Sequence, residues 1–273
     1  MGKFDGILIC TDLDDTLLTS DKRVSAENMQ AIDYFMSEGG MFTFATGRIP
    51  YGAKLMLQYI RPNVPMVCFN GAGIYDFNKD KLLWHETLDD EAVKVLEYVE
   101  EHCPFSGIEV CTADKLYFCK MNRRVAEHKS MEHLPDNDAD YHDIEEPWMK
   151  VLFIQEAEQV DEVRRVLAES PYADKYEFIQ SSPFYYELLP KNSSKGNATL
   201  ELAKLLHIAP GRVIGVGDNE NDLSLVESAG VGIAVANALD CVKDAADYIT
   251  VDHNSHAISA IIYALSAGII PIE

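Results

Sequence analysis

The chain has 273 residues, of which 47% are hydrophobic, and its formal net charge is -22 because 45 acidic residues outnumber 23 basic ones. This length can bury a large core and favours two domains. So acidic a chain repels nucleic acid and anionic membranes, and neither is an expected partner. An anionic substrate would need local compensation from a lysine, an arginine, backbone N–H groups or a metal ion.

The N-terminal segment and the cysteines indicate the compartment. The segment MGKFDGILIC has no long apolar stretch and no small-residue cleavage site, so no secretion signal is predicted. No stretch reaches the roughly 18 apolar residues that span a bilayer. The six cysteines form no C-x-x-C pair and are typical of reduced thiols. We therefore expect a cytoplasmic protein.

The first predicted elements alternate between strand and helix. Residues 7–10 form a continuous apolar run that ends at a polar cluster, as a strand buried in a parallel sheet does. Ser25 can cap a helix whose apolar stripe is followed by two glycines. Residues 41–45 and 66–69 repeat the strand pattern, and each run ends in a polar or glycine-rich turn. This rhythm predicts an α/β fold with an open, doubly wound parallel sheet.

The rhythm changes between residues 84 and 189. There the pattern predicts helices at 89–101, 125–133 and 160–167, and strands around Ile108 and Tyr117 and at 150–154, 176–180 and 185–189. This mixture predicts an inserted α+β domain. The parallel-strand pattern resumes at 213–216, 233–235 and 248–251. Residues 1–83 and 190–273 are therefore expected to form one core domain around the insertion.

Two carboxylates stand at the end of the first predicted strand. Asp12 and Asp14 flank Leu13 where the chain turns, so their side chains are forced close together. Paired aspartates can hold a hard cation such as Mg²⁺. One of them can also act as a nucleophile and form an aspartyl-phosphate. For this pair taken alone, an exposed acidic turn is the favoured alternative.

A second acidic cluster follows a later strand. Asp218 and Asp222 lie in the segment GDNEND after the strand predicted at 213–216. Because parallel strands end at the same edge of a sheet, these carboxylates are expected to emerge beside Asp12. A turn that caps the next helix through its Asp and Asn side chains explains the same residues.

Three residues are candidates to bind an anionic substrate, because they offer a positive charge or hydrogen-bond donors in an otherwise acidic chain. Lys195 opens a predicted helix, which places a cation and free backbone donors at one helix N-terminus. Thr46 and Gly47 close the strand at 41–45 and offer a hydroxyl and an unhindered N–H to a phosphate oxygen. A single lysine or threonine is nevertheless usually a surface residue.

Four segments that recur in order carry a family resemblance. They are DLDDT at 12–16, ATGR at 45–48, SKG at 194–196 and GDNEND at 217–222. Together they resemble the motifs of haloacid dehalogenase superfamily phosphatases. The triplet NGA at 70–72, followed by an insertion, is similar to the Cof-type branch, which has an α/β cap of the C2B type. The resemblance implies a Rossmann-like catalytic core at 1–83 and 190–273 and a specificity cap at 84–189.

The resemblance also implies a role for each site residue. Asp12 would attack phosphorus, and Asp14 would protonate the leaving oxygen and then activate water. Mg²⁺ would be held by the Asp12 carboxylate, the Asp14 backbone carbonyl and Asp218. The residues around the phosphoryl oxygens would be Leu13, Thr46, Gly47, Lys195 and Asn221. Asp222 would support Lys195 or the surroundings of the metal.

Two residues of the motifs have no assigned catalytic role. Asp15 stands where many relatives carry glycine, and we expect it to point away from the phosphate and to serve the start or cap of a helix. Arg48 either touches the substrate or braces its loop. In the insertion, Tyr117, Lys150 and Glu187 are weakly specified candidates for substrate contacts.

The implied substrate is a small phosphorylated metabolite, such as a sugar phosphate or a phosphorylated cofactor. Two alternatives stay open at this stage. A phosphomutase would use the same aspartates but return the phosphoryl group to a sugar. A binding or regulatory module would keep the fold without turnover, although the intact Asp12, Asp14, Lys195 and Asp218 argue against it.

Overall fold

The computed structural model describes residues 2–131 and 134–272. The chain divides into two compact units. The core unit consists of Met1–Trp84 and Ser194–Glu273, and the inserted unit consists of His85–Ser193. The insertion predicted at 84–189 starts one residue earlier and ends four residues earlier than the observed unit. The catalytic and specificity roles of the two units stay predictions.

The strands and helices follow one another in an α/β order. The strands are β1 Leu8–Thr11, β2 Met41–Phe44, β3 Met66–Cys68, β4 Gly73–Asp76, β5 Lys81–His85, β6 Gly107–Thr112, β7 Leu116–Lys120, β8 Trp148–Ile154, β9 Glu177–Ser182, β10 Tyr185–Leu189, β11 Val213–Gly217, β12 Val231–Ala234 and β13 Tyr248–Ile249. The helices are α1 Ala26–Ser37, α2 Pro50–Lys54, α3 Ala92–His102, α4 Arg123–Met131, α5 Val160–Ala168, α6 Lys195–Leu205, α7 Leu223–Ser228, α8 Asp240–Ala245 and α9 Ala257–Ser266.

A parallel sheet forms the centre of the core unit, with the strand order β13-β12-β11-β1-β2. Cys10 of β1 lies opposite Gly215 of β11 on one side and Thr43 of β2 on the other. The strand β3 joins β2 through a parallel bridge between Ala45 and Val67. The doubly wound parallel sheet predicted from the sequence is confirmed.

The position of β1 explains its sequence. It is flanked by strands on both sides, and all four of its residues are buried. A strand buried on both faces has apolar residues at successive rather than alternate positions, as residues 8–10 do, and only the last residue of β1, Thr11, is polar. After the turn that follows it, Ser25 starts α1, because its Oγ accepts a hydrogen bond of 3.2 Å from the Asn28 N–H.

Several elements were missed in the sequence analysis. They are the strands β4 and β5 and the helices α2, α8 and α9. The buried residues of α9 are spaced as one helical face, so this helix had a readable apolar pattern. By contrast, α2 and α8 have five and six residues, too few for a periodic pattern. The strand predicted at 66–69 ends one residue early, because Phe69 turns to a φ of 53°.

The inserted unit is built on an antiparallel sheet with the order β7-β6-β8-β10-β9. Val110, Val151 and Leu188 lie on one face of this sheet and pack in a core with Leu96 of α3 and Val163 of α5. The predicted helix at 125–133 is observed as α4, and its predicted last residues, Glu132 and His133, lie outside the described residues.

The other face of this sheet carries charged side chains. Lys150 Nζ donates a 2.6 Å hydrogen bond to Glu187 Oε2, and both side chains are buried. His128 Nδ1 lies 2.9 Å from Glu109 Oε1. Lys150 and Glu187 thus form a buried ion pair inside this unit, which gives them a structural partner in addition to any role with substrate.

None of the helices in the described ranges is both long and apolar enough to cross a membrane.

Gly71 provides a test of the backbone at the NGA triplet. Its φ is 99°, and a Cβ built on it would lie 2.1 Å from the Ser194 carbonyl oxygen. We expect Gly71→Ala to lower the free energy of unfolding by about 1–3 kcal/mol in urea titrations, because the alanine is strained and meets backbone. Gly211→Ala is the control, since its Cβ meets nothing within 4 Å. Equal stability of the two variants would contradict this reading.

Candidate active site

A buried lysine connects two aspartates that are distant in the sequence. Lys195 Nζ donates hydrogen bonds of 2.6 Å to Asp12 Oδ1 and of 2.6 Å to Asp222 Oδ1. The lysine side chain is 0% exposed. Burial alone lowers the pKa of Lys195, but the two carboxylates outweigh it and raise the pKa above its usual value. The ammonium is therefore charged at neutral pH.

Local structure places this lysine. Lys195 is the first residue of α6, and Ser194 caps the helix by accepting a 3.1 Å hydrogen bond from the Asn197 N–H. The helix N-terminus adds partial positive charge near the same carboxylates. The prediction that Lys195 opens a helix is met by this geometry.

Asp12 follows directly after β1. Its N–H donates to the Val216 carbonyl oxygen of β11 at 2.9 Å, which ties the end of β1 to the neighbouring strand. Burial raises the pKa of Asp12 well above its usual value, Lys195 lowers it, and neighbouring aspartates raise it further. No residue in the described ranges donates a hydrogen bond to Asp12 Oδ2, so one carboxylate oxygen is available for chemistry.

Three carboxylates converge at this point. Oxygens of Asp12, Asp218 and Asp222 all lie within 4.8 Å of one another. One lysine cannot neutralise three ionised carboxylates, so full ionisation of the cluster would leave excess negative charge. Burial, with a further contribution from Asp222, raises the pKa of Asp218 to about 7 against the opposing hydrogen bond from Thr16. A divalent cation would offset this charge.

The hydrogen bonds of the cluster distinguish the carboxylates. Asp222 Oδ2 accepts from the N–H groups of Asp218 and Asn219 at 3.0 and 3.1 Å, while its Oδ1 accepts from Lys195. Asp218 Oδ1 accepts from Thr16 Oγ1 at 2.5 Å, and no described residue donates to its Oδ2. The oxygens open to a cation therefore belong to Asp12 and Asp218. A pair of carboxylates suits Mg²⁺, which keeps several waters.

Asp14 has different neighbours from Asp12. Arg48 donates to it through Nε and Nη2, both at 3.0 Å, and Lys22 Nζ lies 3.2 Å from Asp14 Oδ1. Burial raises the pKa of Asp14, but Arg48 and Lys22 outweigh it and hold the pKa below its usual value. Arg48 thus binds a predicted catalytic carboxylate. Lys22 lies outside the recognised motifs, and no pattern in the sequence pointed to it.

Asp15 adopts a backbone conformation that is more typical of glycine. Its φ is 58° and its ψ is 16°, in the left-handed region that glycine enters most easily. Its carbonyl oxygen accepts from Asn237 Nδ2 at 2.8 Å, and its side chain lies 3.4 Å from Lys22 Nζ. Asp15 therefore holds the turn to neighbouring loops.

Asn70, which was not among the predicted site residues, contacts several of the predicted phosphate-binding residues. The Asn70 N–H donates to the Thr46 carbonyl oxygen at 3.1 Å, and Asn70 Oδ1 accepts from Asn221 Nδ2 at 3.0 Å. A Cβ built on Gly47 would lie 2.8 Å from Asn70 Oδ1. The NGA triplet was noted in the sequence as a family feature only, and its contact role was missed.

Leu13 and Thr46 complete the predicted set. Leu13 is fully buried, and its carbonyl oxygen accepts from the Leu18 N–H at 2.8 Å, which closes the turn after Asp12. The Thr46 hydroxyl accepts from the Arg48 N–H at 3.1 Å and keeps its own proton for donation. Asn221 directly precedes Asp222 in one short turn, and Asp222 accepts a hydrogen bond from Lys195. The chain itself therefore places Asn221 next to the group formed by Lys195, Asp12 and Asp222.

Comparison with known proteins identifies what the chain is similar to. A model of the family described as haloacid dehalogenase-like hydrolase matches residues 9–262. The putative phosphatase YxeH of Bacillus subtilis is 31% identical, over 94% of this chain and 97% of that protein. The 5-amino-6-(5-phospho-D-ribitylamino)uracil phosphatase YwtE of the same organism is 26% identical, over 95% and 98%. The solved structure of a haloacid dehalogenase-like hydrolase from B. subtilis has a TM-score of 0.82 at 25% identity, over 94% and 98%.

The raised pKa of Asp218 predicts a pH-dependent stability. A carboxyl group whose pKa rises from 3.8 to about 7 on folding binds its proton more tightly in the folded state. Between these values its contribution therefore makes the free energy of unfolding fall as pH rises. The test compares the free energies of unfolding of wild type and Asp218→Asn, measured by urea titration in the presence of a metal chelator. We expect the wild-type value minus the variant value to decrease as the pH rises from about 4 to about 7. A difference that is constant with pH would contradict this.

Proposed function

The chain belongs to the haloacid dehalogenase-like hydrolases and is a phosphatase, and on that premise we propose that it hydrolyses small phosphate monoesters with Mg²⁺ through an aspartyl-phosphate on Asp12. The similarity to the Cof-type branch seen in the sequence is confirmed. The observation that carries the proposal is the buried Lys195 ammonium that joins Asp12 to Asp222 beside Asp218.

In the first step, Asp12 supplies the nucleophile. An oxygen of its carboxylate forms a bond to phosphorus, while the bond from phosphorus to the ester oxygen breaks. Asp14 gives a proton to that departing oxygen, which leaves as an alcohol. Lys195 offsets the negative charge that would otherwise hold a phosphate dianion away from the Asp12 carboxylate.

In the second step, water attacks phosphorus and the bond to Asp12 breaks, which releases inorganic phosphate. Asp14 accepts the proton from that water, so it returns to its protonated form for the next cycle. Its salt bridges with Arg48 and Lys22 favour the ionised form, which is the form this step requires. The first step requires the protonated form, so these salt bridges must loosen when the substrate binds.

The donor set of the carboxylate cluster supports Mg²⁺. We assign the metal to Asp12, Asp218 and the Asp14 backbone carbonyl, all of them hard oxygen donors. Asp222 stays with Lys195, since both of its carboxylate oxygens already accept hydrogen bonds. When bound, the ion would neutralise charge on the phosphoryl oxygens during transfer.

The other proposed contacts are with the phosphoryl group. Thr46 offers a hydroxyl, Gly47 and Leu13 offer backbone N–H groups, and Asn221 offers a side-chain amide. We assign the choice of leaving group to the inserted unit. The proposed substrate is a small phosphorylated metabolite, either a sugar phosphate or a phosphorylated cofactor. The name of YwtE, a 5-amino-6-(5-phospho-D-ribitylamino)uracil phosphatase, supports a small phosphorylated metabolite.

The central test is a panel of phosphate monoesters assayed with Mg²⁺. We expect wild type to release inorganic phosphate from at least one ester without a bisphosphate activator. Asp12→Asn should show no turnover, because an amide cannot form the aspartyl-phosphate. The control is Asp33→Asn, which removes an exposed carboxylate from α1 and should retain full activity. Turnover by Asp12→Asn would reject the nucleophile, and transfer to a second sugar without net phosphate release would indicate a mutase.

A second variant tests the proton-transfer role. We expect Asp14→Asn to slow turnover by roughly 10²–10⁴-fold, because an amide can neither give nor take the proton. Asp15→Asn is its matched control, since it removes the adjacent carboxylate and asparagine tolerates the same left-handed backbone. Steady-state rates on the best ester of the panel measure both. Similar rates for the two variants would rule out acid–base catalysis by Asp14.

A further inference from the structure

Asn70 stands in an unusual backbone conformation inside the core unit. Asn70 is buried, with only 1% of its surface exposed, and its φ and ψ are 53° and 31°. The preceding Phe69 also has a φ of 53°. Two consecutive non-glycine residues in the left-handed region are strained, and such strain is concentrated at functional sites. Asparagine is among the few residues that tolerate this conformation.

The two ends of the Asn70 amide have different surroundings. Oδ1 accepts a 3.0 Å hydrogen bond from Asn221 Nδ2. Nδ2 is buried and has no hydrogen-bond partner in the described part of the chain. A buried donor without an acceptor is rare and unfavourable, because it has lost its water without replacement. The Asn221 contact fixes which way the amide points, so Nδ2 is held in place as an unused donor.

This donor lies against a predicted phosphate-binding segment. A Cβ built on Gly47 would be 2.9 Å from Asn70 Nδ2, so only glycine leaves room for the amide at that position. The Asn70 N–H also donates to the Thr46 carbonyl oxygen. The acceptor that Nδ2 lacks is therefore expected beside Thr46, Gly47 and Asn221, the residues assigned above to the phosphoryl oxygens.

We propose that Asn70 is a further phosphate-binding residue, whose Nδ2 donates a hydrogen bond to a phosphoryl oxygen. The proposal rests on the phosphatase function assigned above. It adds a neutral donor to a site in which Lys195 already bonds to two carboxylates. The competing structural explanation is that Asn70 only orients Asn221 through Oδ1 and never meets the phosphate.

A double-mutant cycle separates these two roles. Asn70→Gly removes the side chain without straining the left-handed backbone. It is made in wild type and in Asn221→Ala, where Asn70 no longer has an amide to orient. The dissociation constants of orthophosphate and of vanadate, a tighter phosphate analogue, are measured by calorimetry with Mg²⁺ present. His207→Gly is the matched control, since His207 is an exposed residue with a φ of 58°.

We expect Asn70→Gly to weaken anion binding by about 10- to 100-fold in wild type, as for a hydrogen bond to a charged group. The weakening should persist in Asn221→Ala, and His207→Gly should bind as wild type does. Thermal unfolding should show Asn70→Gly to be folded at the assay temperature. An unchanged dissociation constant on adding Asn70→Gly to Asn221→Ala would overturn the donor role, because Asn70 would then act only through Asn221.

The two proposals fail in different ways. Phosphate release by wild type, with no effect of Asn70→Gly on anion affinity, would remove Asn70 from the site and leave the phosphatase assignment intact. Absence of hydrolysis by wild type across the ester panel would count against the proposed function. Orthophosphate binding would still decide the role of Asn70 in that case, because the measurement needs no turnover.

Discussion

The buried ammonium of Lys195 is the interaction on which the site depends. Removing an ion pair from water costs several kcal/mol per ion, so such a contact persists only where the fold supplies good geometry. Here two carboxylates share one lysine at 2.6 Å each, and a third carboxylate stands within 4.8 Å of both. The arrangement gathers carboxylates where a cation and a phosphoryl group are to be bound, and burial, with a further contribution from the neighbouring carboxylates, raises the pKa values of Asp12 and Asp218.

The parallel sheet is what brings these groups together. The strands β1 and β11 are neighbours, so Asp12 and Asp218 emerge at the same edge although more than 200 positions separate them. The helix α6 then begins with Lys195 directed at that edge. Turns with left-handed residues, at Asp15 and at Asn70, complete the site. Strained conformations of this kind persist where the surrounding structure enforces them, and they are concentrated at functional sites.

The sequence predicted correctly those elements whose residue pattern follows directly from their burial or their capping. A strand buried on both faces shows a continuous apolar run, which predicted β1 and β11, and the Ser25 cap predicted the start of α1. The short helices α2 and α8 were missed because five or six residues contain too little periodicity. The strand predicted at 66–69 was one residue too long, because the left-handed turn at Phe69 has no signature in apolar periodicity.

The sequence by itself determined the fold class, the family and the identity of the charged residues, since spacing, capping and motif order are properties of the chain. Only the tertiary structure decided which oxygen faces which partner. Lys22 reaches Asp14 from eight positions away and Asn70 holds Asn221 from 151 positions away, and no periodic or capping pattern encodes either contact. Burial likewise belongs to the folded molecule alone, and it raises the pKa of both Asp12 and Asp14. The pKa of Asp14 is nevertheless lowered because Arg48 and Lys22 outweigh its burial, whereas Asp12 shares a single lysine and lies near other carboxylates.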